Sequence, residues 1–177
     1  MKPIEKLNQF GTPALTTTEL LEIIKYKGDP GSYYESMHYI VQKELVRRKE
    51  VAELPQIRSS KHIFAHMSFM QVYNHEEFWI MCLNRAHKVV NTIFISKGGS
   101  DATIADPSII IRKAVENKTR SLILVHNHPS GQLMPSENDK LLTTKLKSAA
   151  NLFDIYLLDH VIVSQSGYYS FADEGVL

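Results

Sequence analysis

Apolar and polar positions along this chain follow two different periods, and the switches between them outline its elements. Leu122-Ile123-Leu124-Val125 is a short continuous apolar run bounded by polar residues, the pattern of a strand buried on both faces. Phe78 to Leu83 and Val89 to Ser96 read as two further strands separated by a turn at Asn84-Arg85. Residues 155–164 and 168–171 read as a closing hairpin. Between them the helical period takes over. Pro107 fits the first position of a helix running through Ile110 and Val115, and Ser136 opens another that reaches Ala150. Ser59-Ser60 predicts a capped helix extending to about Tyr73. Helices interleaved with strands and a terminal hairpin predict an α/β sandwich with a mixed sheet flanked by helices.

The first 55 residues look different and contain no strand pattern. Residues 1–15 read as irregular, after which Thr16-x-x-Glu19 forms a capping box that opens a short helix through Tyr26. Gly28-Asp29-Pro30-Gly31 breaks the chain, and Ser32-x-x-Glu35 starts a longer helix carrying Met37, Ile40, Val41 and Leu45. We therefore expect a helical N-terminal extension over residues 1–55 and a main domain over 56–177. The basic cluster Arg47-Arg48-Lys49 reads as a solvated helix end, with a nucleic-acid contact as the alternative.

Composition narrows the class without naming it. A chain of 177 residues fits one domain with an appendage and can bury about 70% of its unfolded surface. Its formal charge of +1 lacks the basic excess of a domain dominated by phosphate contacts. The one cysteine, Cys82, lies in an apolar run and reads as a small buried hydrophobe. No stretch approaches the ~20 apolar residues of a membrane span, and the N-terminus lacks the apolar core of a signal peptide. The expected location is the cytoplasm, with no membrane partner; oligomeric state stays open.

Chemistry concentrates in the fourteen positions from His126 to Asp139, within LVHNHPSGQLMPSENDK. Residues two apart on a strand face the same way, so His126 and His128 would present their imidazoles side by side. Asp139 would sit in the first turn of the next helix, able to turn back toward them. Two imidazoles and a carboxylate suit Zn²⁺ and leave a fourth position for water. Nitrogen donors disfavour Mg²⁺ and Ca²⁺. A plainer explanation exists for each piece: His-x-His is common by chance, and Ser136-x-x-Asp139 is also an ordinary helix cap. A hydrolytic site further needs a carboxylate to move protons, and Glu76 and Glu77 are the candidates at the start of EEFWIMCL. Alternation allows only one of the pair to face the site. His38, His62, His66, His75 and His87 show no ligand-like spacing and read as surface residues, whereas His160 in LLDHVIV reads as a buried, hydrogen-bonded group.

The run HNHPSG followed by PSENDK resembles the metal-binding signature of RadC-like JAB domain proteins, within the JAB/MPN (JAMM) metalloenzyme superfamily. That signature is an upstream glutamate, His-x-His, seven residues, then Ser-x-x-Asp, and Pro129 to Pro135 supply the seven. The closing strands LLDHVIV and YYSF also resemble the family's, so the likeness covers roughly residue 60 to the C-terminus. It implies a sandwich related to cytidine deaminases, with Zn²⁺ held by His126, His128 and Asp139. It implies Glu76 as general acid/base and Ser136 as donor to the oxyanion of an attacked amide. The expected substrate is then a peptide or protein. Two other functions are open: a DNA-repair-associated nucleic-acid module, and a catalytically silent scaffold. Longer members carry a helix-hairpin-helix region, which these first 55 residues do not resemble. Pro107-Ser108-Ile109 replaces the Pro-Arg-Glu that the family favours.

Overall fold

Two seven-residue strands built on apolar runs lie side by side in the sheet: β1 (Glu77–Leu83) and β3 (Ser121–Asn127), buried at every position. Burial on both faces requires cover on both, and the remaining elements supply it. The computed structural model describes residues 54–98 and 105–177 continuously, with 15–25 and positions 2, 5, 7, 40, 41 and 44 in addition. They fall into two compact units, residues 54–71 with 75–177, and residues 1–53 with Val72–Asn74.

In the larger unit β2 (Val89–Lys97), β4 (Tyr156–Ser164) and β5 (Gly167–Ser170) complete a five-stranded sheet in the order β2-β1-β3-β4-β5. Only β3 and β4 run parallel; the other neighbours are antiparallel, so the sheet is mixed as expected. The parallel pair needs a crossover. This is the helix Glu137–Asn151, which buries Thr143, Leu146 and Ala150 at helical spacing. The helix Pro107–Glu116 lies beside it, begun by Asp106, whose carboxylate accepts the Ser108 N–H. Phe78, Ile80, Cys82, Leu122 and Leu124 pack with Ile110, Leu146 and Ala150 in one apolar cluster. Burial pushes the Cys82 thiol up to about 11, in keeping with a packing role.

The opposite face is covered by the helix Ser60–His66 and the 3₁₀ turn Ser68–Val72, whose Phe69 meets Trp79 edge-on at 5.4 Å. Here the expected single helix to Tyr73 is corrected. It stops at Met67, where the Ser68 hydroxyl donates to the Ala65 carbonyl and the chain tightens into 3₁₀ form. Ser59 caps nothing with its side chain, and the Ser60 hydroxyl instead bonds Tyr168 and Asp173. His66 is also not the surface residue expected. It is half-buried, with Nε2 bonded to the Thr92 hydroxyl at 2.9 Å.

Burial pushes His66 down from its ordinary 6.5 to about 4, so the folded chain keeps it neutral where the unfolded chain takes up a proton. Stability attached to the neutral ring is complete above pH 6.5 and is lost as pH falls from there toward about 4. The fall of the urea midpoint across that window is expected to be shallower in His66→Gln. Parallel curves would show that the ring contributes nothing to acid sensitivity.

In the smaller unit Thr16 and Glu19 form the expected capping box at the start of α1 (Thr17–Lys25), with bonds of 2.7 and 3.2 Å. Leu15, Leu20 and Ile23 join Leu7 and Val41 in a buried cluster. Residues 1–15 were expected to be irregular, yet Glu5 and Leu7 are helical. The Glu5 carboxylate accepts the Lys2 N–H at 3.1 Å, closing a first turn as a capping box does. Ile40, Val41 and Glu44 are helical. The Gly28–Gly31 break, the Ser32–Glu35 box, His38, the Arg47-Arg48-Lys49 cluster and the loop over Gly99–Asp101 lie outside the described residues. Among the described residues no helix is long and apolar enough to cross a membrane.

With α1 placed, the remaining helices are numbered in chain order: α2 (Ser60–His66), α3 (Pro107–Glu116) and α4 (Glu137–Asn151).

Candidate metal centre

His126 is the next-to-last residue of β3, and it continues the face of Leu122 and Leu124 toward the start of α4. Only 3% of its surface is exposed, and the Phe78 ring stacks on it at 5.8 Å between centroids. His128 lies just past the strand, but its N–H still donates to the Val163 carbonyl at 2.9 Å. The extended pairing with β4 therefore holds both imidazoles on one face, as the two-residue spacing predicts.

The turn after His128 fixes that ring. The Gly131 N–H donates to the His128 carbonyl at 3.1 Å, and Gly131 has φ +84°, a conformation that costs any other L-residue about 1–2 kcal/mol. This reversal brings the Gln132 carbonyl to 2.8 Å from Nδ1 of His128. A carbonyl only accepts, so Nδ1 carries the proton and Nε2 of the neutral ring keeps its lone pair.

Asp139 enters from the third position of α4. Its backbone N–H donates to the Ser136 hydroxyl at 3.2 Å, while its Oδ2 accepts the Ser136 N–H at 2.7 Å and the Ser136 hydroxyl at 2.6 Å. The cap thus occupies Oδ2 and turns Oδ1 to 3.3 Å from Nε2 of His126. Nε2 of His126 is 3.0 Å from Nε2 of His128, and the latter is 3.9 Å from Oδ2 of Asp139. One donor atom from each of the three residues falls within 4.8 Å of the others. Burial holds His126 down at about 4 against the opposing pull of Asp139, so the ring is neutral at physiological pH.

Glu76 and Glu77 part company at the start of β1. Glu77 is buried: its Oε1 is 2.9 Å from Nε2 of His75, its Oε2 accepts the Trp79 indole N–H at 2.8 Å, and its own N–H donates to Asn127. It belongs with Trp79 on the face away from the histidines. The β1–β3 pairing ends at Phe78 opposite His126, and Glu76 lies two residues before Phe78, just ahead of β1. The backbone there is anchored, the Gly98 N–H donating to the Glu76 carbonyl at 2.8 Å. His75, expected at the surface, has in Glu77 an acidic partner two residues away and is only 12% exposed. His62 and His87 are exposed as expected.

Two contributors were missed in the sequence. Thr143 donates its hydroxyl to the Asp139 carbonyl and lies 2.6 Å from Nδ1 of His160. Its spacing of four from Asp139, one helical turn, was the available signal. His160, fully buried and stacked on Phe171, reaches Nδ1 of His126 at 2.8 Å and matches the expected hydrogen-bonded role. Gln132 acts through its carbonyl alone, which side-chain reasoning does not reveal. The neighbouring Asp159 accepts from the His160 and Ala172 N–H groups and the Ser170 hydroxyl, tying the C-terminal segment to β4. Burial pushes its carboxyl above the usual range.

Comparison with known proteins places the chain in one family. The chain is 40% identical over 159 residues to a UPF0758 protein of Flavobacterium johnsoniae, a match covering 88% of this chain and 69% of that protein. It is 40% identical over 139 residues to one from Porphyromonas gingivalis, covering 76% of this chain and 61% of the relative. It is 33% identical over 174 residues to one from Chlorobium chlorochromatii, covering 97% and 78%. The RadC-like JAB domain profile matches residues 57–176, which include every residue of the candidate centre, and the chain belongs to that family.

Proposed function

We propose that this chain is a zinc-dependent hydrolase of amide bonds acting on a peptide or protein. In this reading His126, His128 and Asp139 hold the metal, Glu76 is the general acid/base, and Ser136 serves the oxyanion. The main domain over 56–177 carries this chemistry, with 1–55 as an appended helical region. The observation that carries the reading is the convergence of two imidazole nitrogens and a carboxylate on one point. Zinc bonds of ~2.0–2.1 Å in a tetrahedron imply donor separations of about 3.3–3.4 Å. The Nε2–Nε2 separation of 3.0 Å and the Nε2–Oδ1 separation of 3.3 Å lie close to that value, and one donor atom from each residue falls within 4.8 Å of the others, so the donor set fits with a small adjustment. When bound there, zinc would act as a Lewis acid that polarises the scissile carbonyl and acidifies water.

The chain's own residues supply the rest. In this reading a carboxylate at Glu76, two residues before the Phe78 that pairs with His126, takes the proton of the attacking water and returns it to the leaving amine. Ser136 has one hydroxyl proton, which rests on Oδ2 of Asp139. To serve an oxyanion it rotates that proton outward, and the Ser136 N–H continues to hold Oδ2.

Ser136→Ala separates the two jobs of that hydroxyl. Loss of the cap is expected to cost about 1 kcal/mol of stability, read in urea unfolding. Loss of the oxyanion donor is expected to cost about 10²–10³ in turnover. A variant that loses stability but keeps its rate reduces Ser136 to a helix cap. The reading as a whole is tested by incubating zinc-loaded protein with peptide and lysine-isopeptide substrates and detecting released amines. Stoichiometric zinc without cleavage of any acyl substrate would favour a silent scaffold.

A further inference from the structure

Every hydrogen bond behind His126 has a direction, and one backbone carbonyl sets them all. The Asp139 carbonyl accepts only, so the Thr143 hydroxyl 2.5 Å away must spend its single proton there. Thr143 Oγ1 can then only accept from His160, 2.6 Å away at Nδ1, which places the His160 proton on Nδ1. A neutral His160 has a bare Nε2, and that nitrogen accepts from Nδ1 of His126 at 2.8 Å. His126 therefore carries its proton on Nδ1, with the Nε2 lone pair pointing into the centre.

The opposite direction is closed off. A Thr143 hydroxyl donating to His160 would leave its own oxygen 2.5 Å from the Asp139 carbonyl oxygen with no proton between them. The chain is also sealed from water, since His160 is 0% exposed and Thr143 and His126 3% each.

We propose that Thr143 and His160 are positioning residues whose one-way hydrogen-bond chain, anchored on the Asp139 carbonyl, locks His126 in the tautomer that offers Nε2 to a metal. Asp139 then acts twice, its carboxylate as a donor beside His126 and its carbonyl as the anchor that orients the same ring. His128 reaches the same tautomer independently through Gln132, so the two Nε2 lone pairs face each other by construction. The metal-affinity half of this proposal rests on the zinc reading above; the tautomer half does not.

The experiment uses the full chain and three proteins: wild type, Thr143→Val and Thr143→Ser. Valine matches the shape of threonine without its hydroxyl, and serine keeps the hydroxyl. Metal-free samples at neutral pH are examined by long-range ¹H–¹⁵N NMR of the imidazoles, which distinguishes Nδ1–H from Nε2–H. Zinc affinity is then measured by competition with a chelator, and apo-protein unfolding checks that each variant is folded. Wild type is expected to show His126 with its proton on Nδ1. Thr143→Val is expected to lose that single tautomer and to bind zinc about 10–100-fold more weakly. Thr143→Ser is expected to restore both.

An Nε2–H tautomer in wild-type His126 overturns the proposal. So does a folded Thr143→Val protein that keeps the wild-type tautomer and affinity. Should wild type bind no zinc at all, the metal reading fails by itself, while the NMR spectra still decide the direction of the chain. If Thr143→Val is too unstable to compare, the wild-type tautomer together with that of Thr143→Ser decides between the two directions.

Discussion

His128→Ala is expected to strip the chain of its zinc. The residue supplies one of three converging donors, and a two-donor site forfeits both a bond and the closed geometry that favours zinc. The fold should survive the substitution: His128 sits in a turn, its backbone N–H still donates to Val163, and the ring contributes little to the core. Metal analysis of the two purified proteins gives the first readout, about one zinc per chain against a trace. Unfolding with and without zinc gives the second. At free zinc a hundred times Kd, a metal that binds only the folded state stabilises it by about 2.7 kcal/mol, and the variant should show no such gain. Equal trace metal in both proteins, or an equal zinc-dependent shift, would sink the metal reading and with it the hydrolytic one.

Glu76→Gln carries the second large effect, and Glu77→Gln is its control. Removing a general acid/base typically costs about 10²–10⁴ in rate, so Glu76→Gln is expected to fall by that much while keeping its zinc. Glu77→Gln should do the reverse. Its carboxylate is buried between His75 and Trp79, and hydrogen bonds to a charged group contribute about 1.5–3 kcal/mol each. Turnover is therefore expected to hold while stability drops by about 2 kcal/mol. Paired measurement of kcat and the urea midpoint separates the two positions. If Glu77→Gln loses rate with its stability intact, the two roles have been assigned the wrong way round.

Legibility from the residues is uneven for physical reasons. Strands β1 and β3 show through because a strand covered on both faces must be apolar throughout, and such a run leaves no ambiguity of face. The start of α4 shows through because a capping box is local, decided within four residues. Periodicity extends the helix from Ser60 too far because a hydroxyl at Ser68 offers the backbone a competing partner, which periodicity does not register. His75 and His66 look like surface residues in the sequence because their partners, Glu77 and Thr92, matter through burial and strand pairing. Thr92 is distant from His66 in the chain, whereas Glu77 is near His75 and only its burial gives that pair its meaning.

His160 shows the same limit most sharply. Leu122 pairs with Leu157, but Leu124 pairs with His160, so β4 carries one extra residue between those points. Alternation counted from Leu157 would put Asp159 on the face of Leu124 and His126 and turn His160 away. The bulge reverses that assignment. It delivers His160 behind His126 and sends Asp159 to anchor the Ala172 segment.

Sequence alone supplies the candidate donors and their spacing, because strand alternation and a helix cap are short-range consequences of residue type, and the motif they form carries the likeness to the family. It also determined that one of two adjacent glutamates would face the centre. Tertiary structure separates the pair, since it commits the Glu77 carboxylate to His75 and Trp79 and leaves Glu76 as the candidate. It decides too what lies beside the imidazoles: a turn brings the Gln132 carbonyl to Nδ1 of His128, and α4 brings Thr143, bonded to the Asp139 carbonyl, up to His160 behind His126. Both carbonyls lie only four residues from the side chains that bond them, His128 and Thr143, but a backbone carbonyl is a group every residue possesses, so residue identity cannot announce its role.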